Sequence, residues 1–355
     1  MFDKKIISAD YETEQLQGGT IGDVKLIFGI CETADREKLP YKIVLKIHKK
    51  FERPGDLNSW RREYDLAVSG FGKIFDESDE STDKINKIGK INWAECYRAD
   101  LIETETENQI ELWLEYIDGV SGYDLTVEML ETAAEEFGRF QGRLYKNPEI
   151  LHNIGCMNKV DIIEKEYAQW ESSTVEYCYL YEKETDKFEK YNIDPDGIKE
   201  VPGHLKKMLT DIDDNIENLF KEIKKLPVVL CHRDFWIENI FYSDKSGKSG
   251  GKIKLIDWDG AGWGYMGEDL ASLVLDDVKT ENLHENYRRL VPAYFKGISE
   301  YIDISAIDHF YIWEMMVIKF GYRELQRHMF AKSGDKKREA TERMQKIYEM
   351  KNIKI

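Results

Sequence analysis

The sequence predicts an α+β fold in two unlike parts. Up to about Ile117 the apolar residues come in short alternating runs, which is typical of strands, and helical spacing is clear only over residues 59–68. Beyond that point long helical patterns dominate, such as residues 127–145, where apolar side chains recur along one stripe. We therefore expect a small β-rich domain, residues 1–117, and a larger, mainly helical domain, residues 118–355.

The composition is that of a globular protein. Of the 355 residues, 42% are hydrophobic and 12% aromatic, which is enough for a substantial core. No apolar run is long enough to cross a bilayer, and the N-terminus is too short and polar for a signal peptide. The cysteines are scattered and form no C-x-x-C pair, which suits free thiols in a reducing compartment. We expect a cytoplasmic protein.

The chain is strongly acidic, with a formal net charge of −17. That charge would repel nucleic acids and anionic membranes, so neither is expected as a partner. It is compatible with a cationic substrate, although an acidic surface also serves solubility alone.

The most informative stretch runs from Val228 to Tyr242. Apolar residues lead in and out, while His232, Asp234 and Asn239 belong to a polar middle with no periodicity that would bury it. We expect this middle to be a loop held between two buried strands. Such a loop could hold a carboxylate still.

A second acidic cluster, Asp257 and Asp259, follows the next apolar run. Residues 243–251 are rich in turn residues, so the runs on either side are predicted to pair as a hairpin that brings Asn239 and Asp257 together. Their oxygens are hard ligands of the kind that Mg²⁺ takes while it shares substrate phosphates. Asp259 could be a second ligand, but Gly260 predicts that the strand ends there, which favours a supporting role.

These residues resemble the motifs of a known family. The pattern His232-x-Asp234-x-x-x-x-Asn239, followed by Asp257 in Ile-Asp-Trp, resembles the catalytic loop and metal-binding segment of protein-kinase-like phosphotransferases. With Ile-Asp-Trp in place of Asp-Phe-Gly, it is similar to the aminoglycoside phosphotransferase and choline kinase family. The resemblance implies a protein-kinase-like two-lobed fold, with Asp234 as the catalytic base and with Asn239 and Asp257 holding Mg²⁺.

The same resemblance implies an ion pair that binds nucleotide phosphates. Lys46, among apolar residues of a predicted strand, matches the lysine that contacts those phosphates, and Glu63 on the next helical segment would be its partner. Glu52 and Asp65 are alternative partners, and Lys46 could also face water at a strand edge.

The remaining nucleotide contacts implied by the family are less specific. The turn that contains Gly19 and Thr20 resembles the nucleotide-covering loop only loosely, because the G-x-G-x-x-G spacing is absent. Taken alone, it is better explained as an ordinary hairpin. The segment from Glu115 to Ile117 would be the linker whose backbone meets the adenine edge.

The segment after Asp257 separates two kinds of kinase. A helical pattern begins about twelve residues later, with Asp269 near its N-terminus, and leaves no room for a long activation segment. A small-molecule kinase is therefore favoured over a protein kinase. We expect Asp269 to cap its helix or support the catalytic loop, Arg233 to pair with a carboxylate, and Trp258 to pack.

The rest of the second domain is less informative. Residues 151–203 are irregular and aromatic, which suits either packing or the wall of an acceptor pocket. On the predicted helix 307–330, Glu314 and Glu324 are candidate acceptor contacts. Further helical patterns cover residues 204–225, 285–301 and 334–354.

The sequence thus predicts a kinase that transfers the γ-phosphoryl group of ATP, with GTP as the alternative donor, to a hydroxyl of a small molecule. An aminoglycoside, choline or another amino alcohol, and a sugar are the candidate acceptors. Two alternatives stay open, a nucleotide-binding protein of kinase fold without turnover, similar to spore-coat relatives, and a metal-dependent hydrolase that uses Asp257 and Asp259.

Overall fold

The computed structural model forms two compact units. The structure describes residues 4–16, 22–51, 56, 58–75, 91–104, 108–151, 157, 161–183, 200–243, 252–305, 307 and 311–355. The first unit comprises Met1–Gly122, Pro148–Met157 and Asn239–Ala261, and the second comprises Tyr123–Asn147, Asn158–Glu238 and Gly262–Ile355. The predicted boundary after Ile117 stays a prediction.

An antiparallel sheet of five strands forms most of the first unit. Its strands are β1 (Ile6–Gln15), β2 (Gly22–Thr33), β3 (Lys38–Lys49), β5 (Cys96–Glu103) and β6 (Asn108–Glu115), in the order β1-β2-β3-β6-β5. Alternate residues Ile110 and Leu112 of β6 are buried, as the period of a strand requires. They pack with Trp60, which lies in the 3₁₀ turn Ser59–Arg61 directly before helix α1 (Arg62–Ser69).

A second, smaller sheet belongs to the same unit. Strand β4 (Ile91–Trp93) runs parallel to β9 (Lys252–Leu255), which pairs with β8 (Ile240–Ser243) as the predicted hairpin. Trp258 follows this hairpin and is 3% exposed. Its ring meets Phe71 at 5.2 Å between centroids, so the prediction that it packs is confirmed.

The second unit is mainly helical. Its helices are α2 (Val127–Lys146), α3 (Ile162–Lys183), α4 (Gly203–Asp213), α5 (Ile216–Ile223), α6 (Glu268–Leu275), α7 (Leu283–Ile298), α8 (Tyr311–Met329) and α9 (Gly334–Met350). Strands β7 (Val228–Cys231) and β10 (Gly262–Tyr265) pair antiparallel in it. A sheet unit and a helical unit confirm the predicted α+β class.

Helices α2 and α7 approach so closely that only glycine fits at two positions. A Cβ on Gly138 would lie 2.2 Å from the Tyr294 carbonyl oxygen, and one on Gly297 would lie 1.9 Å from that of Glu135. Because both obstacles are backbone atoms, a side chain at either position would separate the helices.

The structure corrects two predictions in this unit. Residues 151–203 are not irregular throughout, because α3 contains a buried stripe of Ile163, Tyr167 and Thr174, whose threonine does not register as apolar in the sequence. The single pattern predicted over 204–225 is two helices, α4 and α5. The break falls at Asp214 and Asn215, whose short polar side chains compete with helical backbone bonds.

None of the helices that the structure describes is long and apolar enough to span a membrane.

Candidate active site

A buried lysine between two carboxylates marks the first unit. The Lys46 ammonium lies 2.5 Å from Oε2 of Glu63 and 2.8 Å from Oδ1 of Asp257. The Lys46 and Glu63 side chains are 9% and 10% exposed, whereas that of Asp257 is 28% exposed. We call these three residues the charged trio. The predicted pairing of Lys46 with Glu63 is present, so Lys46 does not face water at a strand edge.

The charges of the trio determine its proton affinities. Burial alone would lower the pKa of Lys46, but the carboxylates of Asp257 and Glu63 outweigh it and hold that pKa above its ordinary value. Burial raises the pKa of Glu63, and the ammonium of Lys46 opposes the rise. Lys46 is therefore a stable cation, and Asp257 is the member of the trio most accessible to a ligand.

Glu63 also positions the backbone next to Asp257. Its Oε1 accepts a hydrogen bond from the Trp258 amide at 3.2 Å while its Oε2 holds Lys46. Asp257 itself adopts the left-handed region, with φ 63° and ψ 62°, which is uncommon outside glycine. A single carboxylate on α1 thus ties the β3 lysine to the turn that carries Asp257.

Of the two alternative partners of Lys46, the structure describes only Asp65. Asp65 pairs instead with Arg61, at 2.9 Å, and so is excluded. Glu52 lies outside the described residues, as do Gly19 and Thr20 of the predicted nucleotide-covering turn.

The hairpin brings Asn239 next to the strand end that precedes Asp257. Ile240 pairs with Leu255, and the Ile256 amide donates to the Asn239 carbonyl oxygen at 3.2 Å. Asn239 is 6% exposed. In the part of the chain that the structure describes, no group of three or more His, Cys, Asp or Glu side chains is arranged to hold a metal. An amide oxygen and one accessible carboxylate suit a hard cation that completes its coordination with waters and phosphates.

Asp259 lies in a buried turn rather than on a strand. Strand β9 ends at Leu255, and residues 258–260 form a 3₁₀ turn. The Asp259 carbonyl oxygen accepts a hydrogen bond from Nε of Arg62 at 3.0 Å, and the Arg62 guanidinium also pairs with Asp56. The backbone of Asp259 therefore secures this turn to α1, whereas the supporting role of its side chain stays a prediction.

The linker residues occupy the end of β6. Glu115 is the last residue of that strand, its amide donates to the Glu95 carbonyl oxygen at 2.8 Å, and its carboxylate pairs with Lys254. Ile117 follows the strand. The predicted contact of this segment with adenine stays a prediction.

In the second unit, Asp234 lies in the loop between β7 and a 3₁₀ turn at Ile237–Asn239. Asp234 is half-buried, and its carbonyl oxygen accepts a hydrogen bond from the Trp236 amide at 3.2 Å. The next residue, Phe235, stacks on Phe137 of α2 with ring centroids 4.1 Å apart. This buried aromatic pair fixes the chain beside Asp234.

Asp269, near the start of α6, holds the chain on the other side of Asp234. Its carboxylate accepts the His232 amide at 2.9 Å and the Arg233 amide at 2.6 Å. Burial raises the pKa of Asp269 to about 6, and Lys319 opposes that rise. The expected support of the loop that contains Asp234 by Asp269 is confirmed, whereas the catalytic role of that loop stays a prediction.

Arg233 is the strained residue of this loop. Its φ is 66°, although it is not glycine. Its guanidinium donates to the Trp263 carbonyl oxygen and lies 3.4 Å from Oε1 of Glu268, which confirms the expected pairing with a carboxylate. The strain is sustained because both the side chain and the backbone amide of Arg233 have partners.

Sequence reasoning missed a second layer behind this loop. Gln141 donates to Oδ2 of Asp269 at 3.2 Å, and Tyr294 donates to Gln141 at 2.6 Å. A signal for Gln141 was present, since it is the one polar residue among Leu130, Ala134, Phe137 and Leu144 on the predicted apolar stripe. A buried polar residue needs a partner.

One of the two candidate acceptor contacts is wrong. Glu324 is fully buried and pairs with Arg327 at 2.8 Å and Arg343 at 3.2 Å, so it is committed to packing. Glu314 is half-buried and lines a groove of about 450 Å³ together with Trp313 and residues of α4, α5 and α9. Its contact with an acceptor stays a prediction.

Comparison with known proteins gives the family. The model of the ecdysteroid kinase-like family matches residues 123–305, just over half of the chain. The chain belongs to the ecdysteroid kinase-like family. The matched residues of this ecdysteroid kinase-like protein include Asp234, Asn239, Asp257 and Asp269. A comparison with curated proteins finds no match.

Solved structures similar to this ecdysteroid kinase-like protein share its fold. A microcompartment-associated aminopropanol kinase is 12% identical with a TM-score of 0.53, covering 95% of this chain and 90% of its own. The GDP complex of aminoglycoside 2'-phosphotransferase-IIIa is 12% identical with a TM-score of 0.54 and coverage of 98% and 94%. A Plasmodium vivax ethanolamine kinase is 14% identical with a TM-score of 0.50 and coverage of 95% and 82%.

These similarities confirm the protein-kinase-like fold. The family and the fold together are those of small-molecule kinases, as the sequence predicted. The aminoglycoside, choline and sugar acceptors named from the sequence stay predictions.

Proposed function

We propose that this protein is a small-molecule kinase that transfers the γ-phosphoryl group of ATP, with GTP as the alternative donor, to an acceptor hydroxyl. The charged trio is the observation that carries the proposal. A buried cation held between two carboxylates, one of them accessible, is an arrangement suited to the phosphates of a nucleotide and their metal ion. A core that served only stability would gain little from burying these charges.

The first unit would bind the nucleotide. Lys46, positioned by Glu63, neutralises phosphate oxygens. Asn239 and Asp257 supply oxygens that fit Mg²⁺, which when bound neutralises further phosphate charge. We also propose the backbone between Glu115 and Ile117 for adenine recognition and the turn with Gly19 and Thr20 for the phosphates.

The second unit would supply the base. Asp234 orients the acceptor hydroxyl and takes its proton, and its loop is fixed on one side by Phe235 and on the other by Asp269. Because phosphoryl transfer depends mainly on positioning and charge stabilisation, a rigid loop is what the reaction requires of the protein.

Two observations bear on the acceptor, and they differ. The family name indicates an ecdysteroid, which is an uncharged, polyhydroxylated steroid, whereas the net charge of −17 suits a cationic amino alcohol or aminoglycoside. We propose a hydroxylated small molecule and rank the steroid class first, because charge describes the whole surface and the family match covers the catalytic residues.

The test is acceptor-stimulated, Mg²⁺-dependent consumption of ATP and GTP over a panel of ecdysteroids, amino alcohols, aminoglycosides and sugars. Asp234→Asn should lower turnover by roughly 10²- to 10⁴-fold, the usual contribution of a positioned base, and leave nucleotide affinity unchanged.

Asp214→Asn is the matched control, because Asp214 is exposed at the end of α4 and should leave turnover unaffected. Full activity of Asp234→Asn would refute its role as base. Failure of the wild-type protein to bind Mg-nucleotide at all would refute the kinase proposal.

A further inference from the structure

We propose that Gln141 and Tyr294 are positioning residues for the catalytic loop, acting through Asp269 and Leu230 on the backbone that precedes Asp234. Neither side chain reaches the proposed catalytic base, Asp234, itself. The inference rests on the proposed function of Asp234, and its arguments concern the second unit alone.

The first step is the contact of Gln141 with both edges of the loop. Gln141 is 1% exposed on α2. Its Nε2 donates to the Leu230 carbonyl oxygen at 2.8 Å and to Oδ2 of Asp269 at 3.2 Å. Oδ2 of Asp269 is the same oxygen that accepts the His232 amide. One amide group therefore joins the strand that enters the loop to the carboxylate that holds it.

The second step is the contact that orients Gln141. The hydroxyl of Tyr294, on α7, donates to Oε1 of Gln141 at 2.6 Å and accepts the Gly267 amide at 3.3 Å. A hydroxyl donor selects the oxygen end of the amide, so the NH₂ end is directed at two acceptors, the Leu230 carbonyl and the Asp269 carboxylate. Burial raises the pKa of Tyr294, which keeps its hydroxyl protonated as a donor.

The third step is the close packing of α2 and α7, which permits the hydrogen bond between Tyr294 and Gln141. Gly138 meets the Tyr294 backbone so closely that a Cβ would lie 2.2 Å from its carbonyl oxygen. The same close approach of α2 and α7 that excludes a side chain at Gly138 brings the Tyr294 hydroxyl to Gln141, one helical turn further along α2.

The fourth step is the strained backbone of the loop at Arg233, which requires support from contacts. Arg233 has φ 66° and is not glycine, so its conformation is maintained by contacts rather than by intrinsic preference. Its amide bonds to Asp269, and Asp234 is the next residue in the chain. Loosening Asp269 would let Arg233 relax and would shift the base.

The experiment uses the full chain with Tyr294→Phe, which deletes one hydroxyl and preserves the ring. We expect kcat for phosphoryl transfer to fall about tenfold, with both KM values unchanged, because small displacements of a catalytic group reduce rate rather than ground-state binding. Amide exchange, followed by mass spectrometry, should accelerate in peptides that contain His232 and Arg233.

Tyr287→Phe is the matched control. Tyr287 lies on the same helix, is 2% exposed, and undergoes the same chemical change without a hydrogen bond to Gln141. It should leave kcat and the exchange of the loop at wild-type values.

A second variant tests the order of the contacts. Gln141→Met, of similar size, should slow turnover at least as much as Tyr294→Phe, and the double variant should be no worse than Gln141→Met alone, because Tyr294 acts through Gln141. Multiplicative losses in the double variant would overturn the proposal, as would a wild-type kcat and unchanged loop exchange in Tyr294→Phe.

The exchange measurement also separates the two proposals. It needs no turnover, so faster exchange in Tyr294→Phe would support the positioning role even if the wild-type protein phosphorylated no acceptor. If the wild-type protein shows acceptor-dependent turnover but Tyr294→Phe leaves kcat and amide exchange unaltered, the kinase proposal would be supported and the positioning role rejected.

Discussion

The two units hold the carboxylates proposed to function in catalysis by different means. Asp257 is held by charge, because the Lys46 ammonium lies 2.8 Å from its carboxylate. The chain beside Asp234 is held by neutral donors, because the His232 and Arg233 amides and the Gln141 side chain all donate to Asp269.

The charged trio is suited to binding a ligand, whereas the Asp269 network is suited to fixing the geometry of the loop. The charged trio contains one cation and two carboxylates, so a metal ion or a phosphate changes its balance and can exchange partners with it. Asp269 is 1% exposed, and its carboxylate already accepts three hydrogen bonds, so no ligand competes for it. We therefore expect substitutions in the trio to change nucleotide affinity and stability, and substitutions around Asp269 to change turnover.

The largest effect is expected for Lys46→Met, which removes the only cation of the trio. The free energy of unfolding should fall by about 3–5 kcal/mol, the usual cost of leaving a buried partner unpaired, and Mg-nucleotide affinity should be lost. Chemical denaturation and nucleotide titration measure the two effects.

Lys42→Met is the control, because Lys42 is an exposed residue of the same strand. A Lys46→Met protein as stable as the wild type would show that the trio is not held by charge.

A smaller effect is expected for Asp269→Asn. A neutral amide offers one acceptor oxygen where the carboxylate offers two, so kcat should fall roughly 10- to 100-fold, as for other groups that orient a catalytic residue. Nucleotide affinity should not change, because the residues proposed to bind it lie in the other unit. Asp213→Asn provides a comparison, since Asp213 also accepts two side-chain hydrogen bonds, from Tyr167 and Tyr322. Equal loss of turnover in both variants would mean that general destabilisation is responsible.

The last expected effect is a pH dependence with opposite signs for activity and stability. The pKa of Asp269 is about 6 in the folded protein, raised by burial from 3.8. The folded state thus binds this proton more tightly than the unfolded state. Protonation contributes about 3 kcal/mol of stability below pH 4, and that contribution is lost as the pH rises through 6.

Turnover should change the other way, falling below pH 6 as Asp269 loses its charge. The difference in unfolding free energy between wild type and Asp269→Asn, measured from pH 4 to pH 7, isolates the first effect. The kcat profile of the same pair isolates the second. A wild-type kcat that is level through pH 6 would contradict a role for ionised Asp269 in holding the loop.

The sequence by itself predicted the elements whose signals are local. The spacing of His232, Asp234 and Asn239, the hairpin that leads to Asp257, and the helix that begins near Asp269 all depend on residues close together in the chain. The α+β class followed from the change of periodicity, because strands and helices repeat their apolar positions differently.

Only the tertiary structure decided which polar groups meet. Lys46 and Asp257 are 211 residues apart, and Gln141 is 128 residues from Asp269. Periodicity indicates that a side chain is buried but not what it faces, since the partner depends on how separate elements pack. For the same reason the prediction of Glu324 as an acceptor contact is wrong, because its pairing with two arginines in the core is not visible in the sequence.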